Sequence, residues 1–410
     1  MADNYHFLQL TLENIRAFGV KQMLDLRGSN GRRSRWCVIL GSNGVGKTTI
    51  MQALAVMKPV PAFERDAEGK VVGLGQHEGG EAPEPDWIEP DLIEYQNTQI
   101  ISFMRRGEEH VTSVMMAKLV NDDNHEAELG FRSVMARGYL QSADPIAQRV
   151  KLDGNGPIVI AYGAARHSGS RNMSGFAETK PTASLFDELI ELLDPEEVIE
   201  QLHYIVLSSK AEDRKEDELR ASKLLDLLRA AMSAVIPDGQ VESISLGGSR
   251  HATDPALRSV LRFKTPSGDV AFPEMSLGYR TMVSWIIDLG YRLSLLRPDS
   301  ENPLAESAIV LIDEVDLHLH PTWQRELSGH LLTHFPNVQF IVTTHSPIVA
   351  QEAIAKGQPV AVVRWEGEKA SILNNPLPRG IVSYDEVVAS EAFDLETALD
   401  TQTEDALRKR

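Results

Sequence analysis

The fold of this chain is set by the run Gly41-Ser42-Asn43-Gly44-Val45-Gly46-Lys47-Thr48. It follows the apolar run 36–40, which is typical of a strand buried on both faces of a sheet. Residues 48–57, which come next, have helical spacing. A GxxxxGK[ST] pattern between a buried strand and a helix is that of a phosphate-binding loop. Its glycines let backbone N–H groups curl around phosphates, and the helix N-terminus adds its positive dipole end.

The chemistry of this loop predicts ATP and Mg²⁺ as the cofactors. Lys47 would reach the β- and γ-phosphates, and the hydroxyl of Thr48 would bind Mg²⁺. We expect the nucleotide to contact a continuous set of residues, namely Gly41, Ser42, Asn43, Gly44, Val45, Gly46, Lys47, Thr48 and Thr49.

A second apolar strand ends in two carboxylates. Residues 309–312 are all aliphatic and are followed directly by Asp313 and Glu314. This order predicts that Asp313 holds Mg²⁺, directly or through water, and that Glu314 polarises the attacking water. An aliphatic strand followed by Asp-Glu is a weak signal alone, but it becomes strong downstream of a phosphate-binding loop.

A third apolar strand, 339–344, leads to His345. An isolated histidine is more often a structural hydrogen-bonding group than a catalyst. Here it leaves a strand at the same sheet edge as the other two motifs, and ligands of open α/β sheets bind at the carboxyl ends of strands. His345 is therefore predicted to sense the γ-phosphate.

Ser276 stands just before an amphipathic helical pattern at 278–296. Two interpretations are open for it. It can cap the helix, or the helix N-terminus can serve as an anion site. The other three motifs favour the second interpretation.

Together the motifs resemble a known family. The ordered set GSNGVGKT, MSLGYRTM, LIDEVDLHLHP and TTHSP is similar to ABC-class ATPases of the SMC/RecF kind. The similarity is greatest to the AAA-labelled branch that includes the ATPase parts of OLD-family nucleases and Septu-type defence ATPases. The segments LTLENIRAFG and AYGAAR also resemble that branch, and the resemblance spans roughly residues 7–395.

The resemblance implies an α/β fold. It would be a P-loop ABC-type ATPase head with a mixed sheet, an antiparallel β subdomain and an inserted helical arm. It also implies a head-to-tail dimer with two ATP molecules between the subunits. In that dimer Ser276 and Gly278 would contact the γ-phosphate bound by the other subunit, Asp316 would be the D-loop acid, and His345 the switch histidine.

Two positions depart from the family pattern. Leu277 occupies the third position of the signature, where Gly or Asp is usual. No glutamine follows the strand at 157–161 at the position of the Q-loop. Arg166 or another residue would serve there, or the contact to Mg²⁺ is missing.

Spacing and composition predict the domain organisation. Residues 1–180 and 240–390 are expected to form a discontinuous ATPase head, with 181–239 as a helical insertion and 391–410 as a peripheral C-terminal tail. Helices are predicted at 184–206 and 217–236, a strand at 99–104, and loops at 59–91 and 164–182.

Two clusters have open interpretations. His318 and His320 lie near the carboxylates of the second motif, where a transition-metal site is conceivable, although the family has such a run without a metal. Four arginines, 27, 32, 33 and 35, form a basic cluster. A solvated loop is the simpler interpretation, and a nucleic-acid or partner contact is the other.

Composition sets further limits. The 410 residues carry a net charge of -18, which argues against broad nonspecific adhesion to nucleic acid or anionic lipid. The sequence shows no signal-peptide pattern and no apolar stretch of membrane-spanning length, so we expect a cytoplasmic protein without a membrane partner. Cys37, the one cysteine, lies in an apolar strand and is expected to be buried and inert.

The main functional hypothesis is an ATPase subunit of a two-component prokaryotic antiviral defence system, in which ATP gates a separate effector, expected to be a nuclease. No nuclease pattern was found after His345. The alternative is a DNA-repair or chromosome-associated ATPase of RecF type, whose ATP-bound dimer clamps DNA. A transporter ATPase is a third and weaker hypothesis, since the predicted arm does not suit it.

Overall fold

The computed structural model describes residues 5–61, 88–90, 110–136, 139–146, 157–166, 168–171, 180–235, 240–245, 260–265, 268–376 and 383–388. The chain forms two compact units. The first comprises residues 1–159 and 339–410, and the second comprises residues 160–338.

The first unit contains a five-stranded antiparallel sheet with strand order β2-β1-β6-β7-β8. In β1, the apolar residues Phe7, Leu10 and Leu12 are fully buried, as expected for strands with one face on a core. The strands are β1 (His6–Glu13), β2 (Gln22–Asp25), β6 (His110–Val120), β7 (Glu126–Ala136) and β8 (Tyr139–Ile146).

The same unit contains four neighbouring strands of a mixed sheet, in the order β18-β17-β3-β16. Strand β3 pairs parallel with β16 and β17, whereas β17 and β18 are antiparallel. The two central strands, β3 and β16, are buried along their whole length. The strands are β3 (Trp36–Leu40), β16 (Val338–Thr344), β17 (Val360–Glu366) and β18 (Lys369–Asn374).

Three helices and a small ribbon complete the description of this unit. They are α1 (Lys47–Val56), α6 (Pro347–Ala355), α7 (Tyr384–Val388), and the antiparallel pair β4 (Pro59–Pro61) and β5 (Ile88–Pro90). Cys37 in β3 is fully buried, which raises the pKa of its thiol. The expectation of a buried thiol is confirmed.

Gln339 joins the two sheets of the first unit. Its side-chain oxygen accepts from the backbone N–H of Phe7 at 2.8 Å, and its amide donates to the Phe7 carbonyl at 2.8 Å and to the Ser34 carbonyl at 3.1 Å. The residue is fully buried. A buried amide must be hydrogen-bonded, and these three bonds hold β1 against β16 beside the strand that carries the glycine-rich loop.

In the part of the second unit that the structure describes, short strands are combined with four α-helices. Strand β9 neighbours β15, and β12, β13 and β14 form an antiparallel sheet. Strands β10 and β11 pair in parallel. The strands are β9 (Ile158–Tyr162), β10 (Ser168–Arg171), β11 (Leu192–Leu193), β12 (Gln240–Ser245), β13 (Val260–Thr265), β14 (Gly268–Ala271) and β15 (Ala308–Ile312). The helices are α2 (Pro195–Ala211), α3 (Lys215–Val235), α4 (Leu277–Leu296) and α5 (Pro321–His334).

The prediction of one helix over residues 184–206 is wrong. The helix α2 begins at Pro195, and β11 lies before it. The carboxylate of Asp194 caps α2 by accepting from the backbone N–H of Glu196 at 2.9 Å. Because proline disfavours helical geometry in the residue before it and suits the first helical position, the Asp-Pro pair fixes this start.

The α/β fold class is confirmed, with a mixed sheet, antiparallel sheets and the helical pair α2–α3. The domain boundaries stay a prediction. The predicted strand 99–104 and tail 391–410 lie outside the described residues, as do residues 62–87 and 91 of the predicted loop 59–91. In the predicted loop 164–182, residues 167 and 172–179 lie outside the described residues, and the prediction is wrong for residues 168–171, which form β10. Among the helices that the structure describes, none has the length and hydropathy needed to cross a membrane.

A buried charge network fastens α4 inside the second unit. The fully buried carboxylate of Asp288 accepts from Arg292 Nε at 2.6 Å, from the Tyr162 hydroxyl at 2.8 Å and from the Leu193 N–H at 3.1 Å. Burial, together with the negative charge of Asp288, raises the pKa of Tyr162 well above its usual value. The network therefore ties α4 to β9 and β11.

We predict that Asp288→Ala lowers the free energy of unfolding by about 3–5 kcal/mol, because it leaves the Arg292 charge buried without its partner. Denaturant titration would measure this loss. The control is Asp226→Ala, which removes an exposed pair with Arg229 and should change stability by less than about 1 kcal/mol. Equal effects of the two substitutions would contradict the importance of the network.

Candidate functional site

The glycine-rich loop of the first unit has little room for side chains. Gly46, the N-cap of α1, has φ 106°, a conformation that favours glycine, and a Cβ there would stand 3.0 Å from the ring of Phe18. At Gly41, a Cβ would collide with the carbonyl oxygen of Val363. Glycine is therefore sterically required at positions 41 and 46. At Gly44 a Cβ would meet no atom within 4 Å, but φ is 77°, a conformation that favours glycine.

The N-terminus of α1 fits an anion. No side chain caps it, and its first turn carries no acidic residue. Backbone N–H groups at such a terminus need acceptors and favour negative charge. The neighbouring side chains differ in exposure, since Thr48 is exposed and Thr49 is buried.

Lys47 and His345 meet in the first unit. Lys47 is buried, and its Nζ donates to the carbonyl oxygens of Gly41 at 2.8 Å and Ser42 at 2.9 Å. It also lies 2.9 Å from Nε2 of His345, 298 positions away in the chain. An ammonium group only donates, so His345 accepts here through Nε2. The structure thus brings together two residues that the motifs predicted to share one site.

Arg16 was not identified from the sequence. Its guanidinium donates to the side-chain oxygen of Gln52 at 2.7 Å and lies 3.4 Å from the Thr49 hydroxyl, both on α1. Partial burial lowers its pKa. One arginine after a strand carries no spacing signal, so only the fold reveals that it lies beside the helix of the phosphate-binding loop.

The carboxylate pair lies in the second unit, at the end of the fully buried strand β15. Asp313 is buried, and its N–H donates to the Tyr162 carbonyl at 2.9 Å. Glu314 is half-buried and has a left-handed backbone, with φ 50°. Both carboxylates thus stand where the strand ends, as predicted.

Arg166 lies against the backbone of this pair. Its Nη1 donates to the carbonyl oxygen of Asp313, and its Nη2 donates to that of Glu314 at 2.7 Å. Burial lowers the pKa of Arg166 to about 10, although Asp313, Asp316 and Glu314 act to raise it. A guanidinium has no acceptor atom. Arg166 therefore cannot replace a Q-loop glutamine as a ligand of Mg²⁺.

Ser276 and Gly278 stand at the start of α4. Ser276 is the exposed N-cap residue, but its hydroxyl makes no capping bond, so the interpretation as a plain side-chain cap is wrong. Gly278 is buried, and a Cβ there would collide with the carbonyl oxygen of His318. The signature turn and the segment after Asp316 are therefore in direct contact.

An open cleft of about 830 Å³ adjoins this contact. Ser276, Tyr279, His318 and Trp323 are among its lining residues. His320 also lines it, and its Nδ1 accepts from the Thr322 N–H at 3.4 Å to cap α5. Among the described residues, no group of three or more His, Cys, Asp or Glu could hold a metal ion.

The basic cluster of the first unit is partly neutralised. Arg27 forms a two-pronged pair with Asp25, with distances of 2.6 and 2.9 Å. Arg33 pairs with Asp122 at 2.5 Å. These pairs favour the interpretation of the cluster as a solvated surface over that of a nucleic-acid contact.

The chain is similar to several known proteins. Residues 173–350 match the family described as "AAA domain, putative AbiEii toxin, Type IV TA system". The chain is 54% identical over 76 residues to "Retron Ec83 probable ATPase" of Escherichia coli, covering 18% of this chain and 14% of that protein. It is 23% identical over 386 residues to "Septu protein PtuA" of Bacillus mycoides (strain KBAB4), covering 92% of this chain and 43% of that protein.

The matched regions thus span less than half of the length of each of these two relatives. Among solved structures, it resembles an SMC head bound to the C-terminal winged-helix domain of ScpA, with TM-score 0.49, 13% identity and coverage of 90% and 98%. It also resembles RecF, with TM-score 0.42, 12% identity and coverage of 91% and 99%.

The family match and the relatives confirm the resemblance to AAA-labelled ATPases that include Septu proteins. The roles of the individual site residues stay predictions.

We predict that Lys47→Ala weakens ATP binding by about 10–100-fold, because the phosphates lose a charged hydrogen-bond donor worth about 1.5–3 kcal/mol. Calorimetric titration would measure the affinity. Lys356→Ala serves as the control, since it removes an exposed lysine that pairs with Glu352 on α6. Unchanged affinity in Lys47→Ala would contradict the assignment of the phosphate-binding loop.

Proposed function

We propose that the chain binds Mg-ATP and hydrolyses it. The observation that carries this proposal is the buried ammonium group of Lys47, which directly follows the last glycine of the loop and contacts His345. Its present acceptors are two backbone carbonyls and a ring nitrogen. Phosphate oxygens would be stronger acceptors, because ionised partners form shorter and stronger hydrogen bonds.

Hydrolysis requires water to attack the γ-phosphorus while the bond to the β–γ bridging oxygen breaks. We assign Glu314 to orient this water and accept its proton, and His345 to contact the γ-phosphate. Asp313 and Thr48 are the residues that would hold Mg²⁺. The metal, when bound, would neutralise charge on the phosphate oxygens. The products are ADP, inorganic phosphate and a proton.

We further propose a head-to-tail homodimer in which each signature turn completes the site of the other subunit. Ser276 supports this, since its hydroxyl is exposed and makes no capping bond at a helix N-terminus. Gly278 and Asp316 would join Ser276 at the partner's nucleotide.

The biological role we favour is that of a regulatory ATPase in a prokaryotic antiviral defence system, where ATP gates a separate effector, expected to be a nuclease. The similarity to retron and Septu proteins supports this role. Co-purification with the product of a neighbouring gene would test it. Salt-sensitive, ATP-dependent binding of duplex DNA by the chain alone would instead favour the DNA-clamping alternative.

We predict that Glu314→Gln binds ATP normally but hydrolyses it about 10²–10⁴-fold more slowly, because the water loses its general base. Phosphate release and nucleotide binding would be measured on the same preparation. Glu301→Gln changes an exposed glutamate of the same unit and should leave the rate unchanged. Near wild-type turnover in Glu314→Gln would refute the role of Glu314.

We predict that Ser276→Arg abolishes ATP hydrolysis while leaving ATP binding by the isolated subunit intact. The added cation would clash with the nucleotide of the partner, where charge develops in the transition state. ATP-dependent dimerisation, measured by light scattering, should also fail. Normal hydrolysis and normal dimerisation would show that the two-subunit site is wrong.

Mixing inactive subunits sharpens this experiment. A dimer of Lys47→Ala with Ser276→Arg has one composite site with both motifs intact and one with both lesions. Partial activity should therefore return on mixing if one intact site turns over alone. If both sites must act together, activity stays absent after mixing. The two-subunit site is then tested by whether Ser276→Arg alone fails to dimerise in the presence of ATP.

A further inference from the structure

We propose that Arg166 is a positioning residue that sets the orientation of Glu314 through the backbone of Asp313 and Glu314. This inference rests on the proposed function, in which Glu314 orients the attacking water. All three residues lie in the second unit. Arg166 belongs to none of the four sequence motifs, so the inference assigns a role to a further residue.

The contact is a fork onto two consecutive carbonyl groups. Nη1 of Arg166 donates to the oxygen of Asp313, and Nη2 donates to the oxygen of Glu314 at 2.7 Å. A rigid planar guanidinium that binds two neighbouring peptide oxygens fixes the direction of both peptide groups. Asp313 is also fixed from the other side, because its N–H donates to the Tyr162 carbonyl at 2.9 Å.

The backbone that Arg166 holds is a disfavoured one. Glu314 has φ 50° and His318 has φ 65°, although neither is a glycine. Such conformations persist only where surrounding contacts determine them. The carbonyl oxygen of Glu314 accepts from both Arg166 and the Leu317 N–H at 3.0 Å. These bonds stabilise the turn from which the Glu314 side chain projects.

While the two Nη groups of Arg166 make these hydrogen bonds, its Nε group makes none to the described residues. The residue is 4% exposed, and its buried Nε has no hydrogen-bond partner among the described residues. An unpaired buried donor is unfavourable. We infer that the hydrogen bonds of the two Nη groups to Asp313 and Glu314 determine where the guanidinium lies. The turn that carries Arg166 is also confined, since a Cβ at Gly163 would collide with the carbonyl oxygen of Ser184.

The test is Arg166→Lys, which keeps the charge but cannot bind two carbonyls as a fork. We expect the rate of the chemical step to fall about 10²-fold, the effect of a displacement of about 1 Å at a reacting group, with unchanged ATP affinity. Single-turnover hydrolysis, expressed per bound ATP, counts only folded sites. Arg220→Lys on the exposed face of α3 is the matched control.

A double-mutant cycle separates positioning from general structural damage. In a Glu314→Gln background, Arg166→Lys should have no further effect on the rate, because the group that it positions is already gone. Multiplication of the two rate losses would overturn the proposal, and so would a normal rate in Arg166→Lys. If the lysine variant folds poorly, Arg166→Gln is measured in the same cycle with the same expected results.

The outcome also distinguishes this inference from the proposed function. A fast Glu314→Gln enzyme would refute the role of Glu314 itself. A slow Glu314→Gln enzyme together with a normal Arg166→Lys enzyme would refute only the role of Arg166.

Discussion

The burial of a lysine ammonium is the constraint on which the glycine-rich loop of the first unit depends. A buried cation without partners is strongly unfavourable, so the loop must supply acceptors for Lys47. It does so with two of its own carbonyl groups and with a histidine from the end of another strand. Gly41, Ser42 and His345 each place an acceptor atom within 3 Å of this charge.

The second unit also contains a buried cation that needs hydrogen-bond acceptors, the guanidinium of Arg166. Arg166 is buried beside three acidic residues, yet its guanidinium donates hydrogen bonds to backbone oxygens. Further inside the unit, Asp288 and Arg292 are paired and also hydrogen-bonded to β9. Tyr162 takes part in both arrangements, because its carbonyl binds the Asp313 N–H and its hydroxyl binds Asp288.

The sequence predicted the central strands and the glycine-rich loop well, because strands buried on both faces are continuously apolar and the loop needs glycine at fixed positions. It also placed the acids and His345 at strand ends. It could not predict the partners of Arg16 and Arg166, since neither residue belongs to a periodic pattern. The start of α2 was missed although Asp194-Pro195 was visible, because apolar spacing continued across it. Asp288 lies on a buried helix face, where only the fold shows what it contacts.

The contact between Gly278 and the His318 carbonyl affects how mutational scans of this chain should be interpreted. Position 278 has no space for even a methyl group, and the His318 backbone that opposes it is itself left-handed. Every substitution at this glycine would push two segments of one subunit apart. Intolerance at position 278 would therefore reflect steric fit within a single subunit, and would carry no information about contact with a nucleotide.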